Sequence, residues 1–585
     1  MKRIHKVAML VLIAIALIAA PAGCSKEKKR QTEVKTTPIE VDVPAELRAA
    51  ESLLKFVPEN AYGFFHWNST HPAYRRLASS PWAGGGAFSL DSLTSRPGEE
   101  GKFIAILKRA GIDPTERETY ETLLSEAVAF ASPPPSSDEK PALALMFRAS
   151  DGTSLETYAD NLKEQLKRAK VTVHEHEIEG GSAFSFDHNE LAQAGRSRAK
   201  DSKPRMRYVG WSGPIGAIAT KLWPIQAALS RQGTGIPKNV DSPQFKESVA
   251  EFPPAKHRYA IGYIDIAALL EDVKSQQDGG EVIEDTLNLK LIPFKSVALS
   301  MAMDDAPSNM ARLLYEVKDP QHKKWFRALH SSSNAQLINS IPSRPLIFLS
   351  VDGQTLKDLR HLTLEGSGLG SQSAVKMLSS LDSVSRIALF TRIAPIGQSI
   401  LPIPDLLMVL ESSNPSELRS KLENLLGSLA SGTGVSTGGW QEKELHGASV
   451  KFIRSQLGVG AYLAIKDNSV IVSSTEPMIR SVLEGLSTGK ASLAKSVSSR
   501  TQQALAKDDS LGSLYIDFQE VGSFLENMGG MLSMYAPQND EAKKFLSPES
   551  IANVKKMGAV VGSIKVDDNS ISIVNFYEAA SSGRS

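Results

Sequence analysis

The residues with the most chemical promise are two histidines in the run His174-Glu175-His176-Glu177. Alternate residues of a strand point to the same face, so both imidazoles could meet one metal ion. The plainer reading is a polar edge strand, Val171 to Ile178, with solvated charges. It is preferred because the matching later stretch, Trp440-Gln441-Glu442-Lys443-Glu444, has no histidine pair. Two glycine-rich runs resemble phosphate cradles. Gly485-Leu486-Ser487-Thr488-Gly489-Lys490 has one residue too few between its glycines, and Ala491 replaces the Ser or Thr that would reach magnesium. Gly366-Ser367-Gly368-Leu369-Gly370 lacks the third glycine of a dinucleotide fingerprint and follows no clear strand. Both read as turns or linkers. Gly210-Trp211-Ser212-Gly213 lacks the spacing of a nucleophile elbow.

Asp265 and Asp517 form the most tempting pair. Each ends a β-rich run, Arg258 to Asp265 and Leu511 to Asp517, just before a helical pattern. They could serve as acid–base or ligand groups. They are also well placed as helix N-caps, and Asp517 with Glu520 has the capping-box spacing. The cap reading is favoured. Trp82 and Trp211 are candidate contact residues near loops, with buried packing equally open for Trp211. No catalytic, cofactor-binding or metal site is assigned, and no cofactor is expected.

Composition narrows the field. The chain has 585 residues, 41% hydrophobic and 22% charged, which suits a globular protein with more than one core. Lys+Arg 66 against Asp+Glu 65 leaves a formal charge of +1, and aromatics make up 6%. Neither figure supports nucleic acid as a partner. A single cysteine excludes a disulfide-stapled fold and a cysteine zinc cluster.

That cysteine matters for another reason. Lys2, Arg3 and Lys6 precede a charge-free apolar run from Val7 to Ala20, and Ala22-Gly23 precede Cys24. This reads as a secretory signal, with an apolar run too short to span a bilayer comfortably. The junction resembles a bacterial lipobox, with Pro21 where that pattern usually has leucine. The resemblance implies lipidation of Cys24. With Ser25 following, it implies export to the outer membrane where the cell has one. The alternative is ordinary signal cleavage beside a bystander cysteine. Residues 25–50 are polar and read as a tether.

The remaining chain repeats one order of landmarks. An apolar-proline start at Pro58 recurs at Pro342. A capping-box tetrad at Thr153–Glu156 recurs at Asn414–Glu417. A proline early in a helix, Pro224, recurs at Pro477, and Tyr263 recurs at Tyr515. The separations are 284, 261, 253 and 252 residues, so the register slips only across loops. Hairpin turns such as Lys466-Asp467-Asn468-Ser469 imply antiparallel pairing. The all-apolar run Leu406 to Leu410 implies a strand buried on both sides. The expected fold is α+β: tandem duplicated α/β sandwich modules, with mixed, largely antiparallel sheets and helices packed on them. The expected boundaries are 1–24 for the signal, 25–50 for the tether, 51–330 for the first repeat and 331–580 for the second.

Several stretches carry a family resemblance. They are Ala491-Ser492-Leu493-Ala494, Ser513-Leu514-Tyr515-Ile516-Asp517 and Val472-Ser473-Ser474, with Ser242-Pro243-Gln244-Phe245-Lys246 and Tyr263-Ile264-Asp265 in the first copy. With their order, the chain resembles the bacterial family labelled domain of unknown function 3352. That family brings no established activity to any residue. The expected role is a non-enzymatic envelope lipoprotein, held to a membrane through its N-terminal lipid, that binds or scaffolds an envelope protein or cell-wall partner. A carrier of an apolar ligand or lipid is the alternative, and a hydrolase with an unrecognised site is a weaker one.

Overall fold

Short runs rich in β-branched and aromatic residues, each stopped by turn-forming residues, become strands that pair with their neighbours in the chain. The structure is a computed structural model that describes residues 52–58, 60–78, 106–112, 122–135, 141–150, 154–193, 205–230, 240, 242–253, 255–275, 294–304, 306–316, 338–339, 341–342, 345–353, 383–392, 405–432, 439–454, 460–488, 492–506, 510–535, 547–567 and 569–578. The chain divides into two units, Met1–Glu316 and Val317–Ser585.

The described strands of the first unit are β1 (Gly63–Asn68), β2 (Glu126–Ser132), β3 (Ala142–Arg148), β4 (Val173–Ile178), β5 (Gly181–Asp187), β6 (Met206–Ser212), β7 (Ile215–Ala219), β8 (Arg258–Asp265), β9 (Phe294–Met303) and β10 (Pro307–Tyr315). Their pairings run β4-β5-β6-β7-β3-β2-β1-β8-β9-β10, antiparallel at each step. Those of the second unit are β11 (Ile347–Asp352), β12 (Val384–Arg392), β13 (Asp405–Ser412), β14 (Gln441–Leu445), β15 (Ala448–Arg454), β16 (Gly460–Lys466), β17 (Ser469–Ser473), β18 (Ser510–Asp517), β19 (Ala559–Val566) and β20 (Ser570–Glu578). They run β14-β15-β16-β17-β13-β12-β11-β18-β19-β20, again antiparallel at each step. Adding ten to each strand number of the first order gives the second.

One bulge falls at the same step of the strand order in both units. The β8–β9 ladder slips by one residue between Arg258 and Ala260, and the β18–β19 ladder slips between Ser510 and Gly512. A slip of this kind is a β-bulge, which bends the strand and increases its twist.

Helices pack on the sheets through apolar stripes. The helix Leu155–Arg168 buries Leu155, Ala159, Leu162 and Leu166, at the spacing of one helical face. Leu162 and Leu166 meet Phe184 and Phe186 of β5. In the second unit, the helix Glu476–Thr488 puts Met478, Ile479, Val482 and Leu483 on a core with Leu407, Val409 and Ile471. The helix Pro415–Gly432 puts Leu418 and Leu422 on a separate core with Leu410, Leu463 and Val470. Strand neighbours point to opposite faces, so helices cover both sides of this sheet. The fold is therefore α+β, a largely antiparallel sheet with helices.

Two expectations need correction. The pairings within each unit are antiparallel among the described residues, not mixed, because the strands join as hairpins or as reversals over longer connections. Nor is Leu406 to Leu410 buried on both sides. Leu407, Val409 and Leu410 are buried, but Leu406 is 48% exposed. The helix Pro415–Gly432 packs over Leu410 and leaves the start of β13 open on that face.

Candidate functional site

The most concentrated chemistry lies in the middle of each sheet. In the first unit Glu126 opens β2. It stands opposite Asn68 of β1 on one side and Arg148 of β3 on the other. Its residue is only 6% exposed. Oε1 accepts the backbone N–H of Leu53 at 2.7 Å and lies 2.8 Å from His66 Nε2. Oε2 lies 3.3 Å from Arg148 Nη1. Burial pushes this carboxyl up. The His66 hydrogen bond and charge, the Leu53 N–H and Arg148 outweigh it, and Glu126 sits below its ordinary value. A buried carboxylate without such partners would be strongly disfavoured.

The second unit has a charged row in the same place. Arg386 of β12 stands opposite Asp352 of β11 and Glu411 of β13. Arg386 is fully buried, at 0% exposure. Its Nη2 donates to the Ser510 carbonyl at 3.0 Å and Nη1 to Ser350 Oγ at 3.4 Å. Burial pulls the guanidinium down while Asp352 and Glu411 hold it up. Burial raises Glu411, against the pull of Arg386.

The histidine pair lies elsewhere. Among the described strands, β4 pairs only with β5, which makes it an edge. His174 and Glu175 are exposed there, as charged edge residues commonly are. His176 turns to Ser185, with Nε2 2.8 Å from Oγ, and its ring lies 5.8 Å from that of Tyr208. The distance fits a nucleophile and its base. Ser185, however, is 1% exposed, so a substrate has no approach to its hydroxyl in this arrangement. Among the described residues no group of three His, Cys, Asp or Glu side chains is placed to hold a metal ion.

Asp265 and Asp517 each bind the start of the following helix. Asp265 Oδ1 accepts from Ala268 N–H at 2.9 Å. Asp517 Oδ1 accepts from Gln519 N–H at 2.9 Å and Glu520 N–H at 3.3 Å. Each satisfies helix donors that lack an intrahelical partner. The Tyr515 hydroxyl donates to Asp517 Oδ2 at 3.4 Å, and burial followed by the Asp517 charge pushes that phenol up. In the second unit Glu417 N–H donates to Asn414 Oδ1 at 3.3 Å, a side-chain cap. Ser154 before the first-unit helix makes no side-chain cap bond, and Thr153 lies outside the described residues.

Trp211 packs edge-on to Phe184 at 6.2 Å, with Lys163 Nζ 5.6 Å from its ring centroid. Gly210 lies within β6, and Gly485 is buried in the helix Glu476–Thr488 rather than in a phosphate loop. Cys24, Trp82, Gly366 to Gly370, Gly489 and Lys490 lie outside the described residues.

Sequence reasoning missed His66, Glu126, Arg148, Arg386 and Glu411, along with strands β2 and β12. A signal was available: a charge set against runs such as Ala127-Val128-Ala129-Phe130 and Ile387-Ala388-Leu389-Phe390. Such a charge must be paired or must end the strand.

No family model matches the chain, and no curated protein matches it. Among solved structures, one described as "Structure of crystal form III of TP0453" is similar at 13% identity. The likeness covers 42% of this chain and 81% of that one, with a TM-score of 0.24, too low to carry an argument.

Proposed function

We propose that this chain is a lipid-anchored envelope protein whose body is one α/β module present twice, acting as a binding or scaffold surface rather than a catalyst. Cys24 carries the reading: the sole cysteine follows a basic start, an apolar run and two small residues. Lipidation adds about 0.8 kcal/mol per buried CH2, and stable anchoring takes two signals such as dual acylation. The polar stretch 25–50 would then hold the body away from the bilayer. Membership of the family labelled domain of unknown function 3352 belongs to the same proposal.

The shared strand order and the matching bulges support the duplication. The non-catalytic role is supported by what the polar groups already do. Glu126 is held by His66, Leu53 and Arg148. Asp265 and Asp517 cap helices, and Ser185 is buried against His176. Among the described residues, these carboxylates and this serine are engaged inside the fold. Crosslinking intact envelopes and recovering the chain tests the role: a reproducible envelope-protein or cell-wall partner is expected. Recovery of the chain alone, with turnover of a substrate by the purified protein, would overturn it.

A further inference from the structure

The charged rows in the two sheets occupy one position with opposite polarity. The place can be counted along the pairings. Gly63 faces Ile264 and Ala131; Ile347 faces Ile516 and Thr391. Glu126 lies five residues before Ala131, and Arg386 five before Thr391. Across each sheet the row then reads Asn68, Glu126, Arg148 in the first unit. In the second it reads Asp352, Arg386, Glu411. The carboxylate and the guanidinium have changed strands. His66, which binds Glu126, has Ser350 as its counterpart beside Arg386.

Two sheets of one strand order in one chain face a specific hazard. During folding, a strand of one unit can be taken up by the other, since the order and register would accept it; such misassembly is a characteristic failure of repeated domains. We propose that the inverted rows make each sheet reject the other's strands. Placed between β11 and β13, β2 would set Glu126 between Asp352 and Glu411, three carboxylates in one row. Placed between β1 and β3, β12 would set Arg386 beside Arg148 and His66, opposite the uncharged Asn68. Like charges facing each other across strands oppose pairing, and burial without a counter-ion makes this worse. Exchange of whole hairpins is opposed too: a transplanted β2–β3 hairpin keeps Glu126 with Arg148 but sets Glu126 against Asp352. The attraction within each row and the repulsion between rows together make the discrimination. The inference rests on the strand orders, the pairings and the buried charges, and does not depend on Cys24 or on any partner.

The test removes the inversion without leaving a charge unpaired. Ser350→His, Asp352→Asn, Arg386→Glu and Glu411→Arg together give the second sheet the row of the first. The reciprocal set, His66→Ser, Asn68→Asp, Glu126→Arg and Arg148→Glu, does the opposite. Both are built in the full chain with Cys24→Ser. Paired cysteines report pairing through a short thiol crosslinker. Ala129 faces Leu145 in the native sheet. Met408 is the counterpart of Leu145 in β13, since Leu145 faces Ile218 and Met408 faces Val472. Ala129→Cys with Leu145→Cys therefore marks correct pairing, and Ala129→Cys with Met408→Cys marks exchange. After refolding from denaturant, the exchange crosslink is expected to rise at least about tenfold over the unmodified rows in either set, as loss of a buried like-charge clash predicts. Native crosslinking at the unmodified level with no rise in exchange would overturn the proposal. So would failure of both sets to fold, because each set rebuilds a charge-balanced row of the kind the other sheet holds.

Discussion

Glu126 and Arg386 stand at the same place in two sheets of one strand order and carry opposite charge. Each is among the most buried charged side chains of its unit, and each is flanked in register by a partner of the other sign, Arg148 or Glu411. Burying an ion costs several kcal/mol unless close partners offset it, so the pairs contribute by being complete. Arg386→Met should destabilise the second unit by about 3–5 kcal/mol, because it strands Asp352 and Glu411. Urea unfolding of the variant measures this. Arg386→Met combined with Asp352→Asn and Glu411→Gln should recover much of the loss.

The Glu126 carboxyl gives a pH-dependent counterpart. Its pKa is lower in the fold than in the unfolded chain. Its contribution is therefore present above the unfolded value and is lost as pH falls through the folded one. Glu126→Gln should cost about 1–3 kcal/mol at neutral pH, where it weakens the bonds to His66 and Leu53 N–H. The gap between variant and wild type should close below about pH 4. Unfolding curves at a series of pH values check the sign; a gap that widens in acid would refute the assignment.

The caps make a smaller, separable claim. Asp517→Ala should cost about 1 kcal/mol and Asp517→Asn only a few tenths, since asparagine caps nearly as well. Thermal unfolding distinguishes the two. An equal and large loss from both would point to a role for the negative charge itself, through the Tyr515 hydroxyl.

These sites differ in how far the sequence exposes them. The caps at Asp265 and Asp517 were legible because capping is local: an aspartate follows a strand and precedes a helical pattern. The hairpin turn at Asp467, with φ of 53°, was legible for the same reason. Glu126 and Arg386 were not, because their partners arrive from strands that adjoin only after folding. Leu406 misled because a strand that is apolar throughout suggests two covered faces. Whether both are covered depends on how far the helix Pro415–Gly432 reaches. The order of landmarks was readable, whereas β2 and β12, short apolar runs between long insertions, were not.

Close backbone approach supplies a further test at the start of β1. A Cβ on Gly63 would lie 2.3 Å from the Tyr263 carbonyl oxygen and 2.7 Å from Ile264 Cα. Neither atom belongs to a side chain that can turn away. Gly63→Ala should cost at least about 3 kcal/mol, the upper range for overpacking. At the corresponding place in the second unit Ile347 is partly exposed, so Ile347→Ala should change stability by less than about 1 kcal/mol. Denaturant melts of the two variants side by side make the comparison.

The anchor is tested most directly by metabolic labelling with a radioactive fatty acid, followed by membrane fractionation, of the wild-type chain beside Cys24→Ser. The account predicts label and membrane pellet for the wild type, and an unlabelled, released chain for the variant. A variant that stays in the pellet, or a wild type that takes up no label, would contradict it.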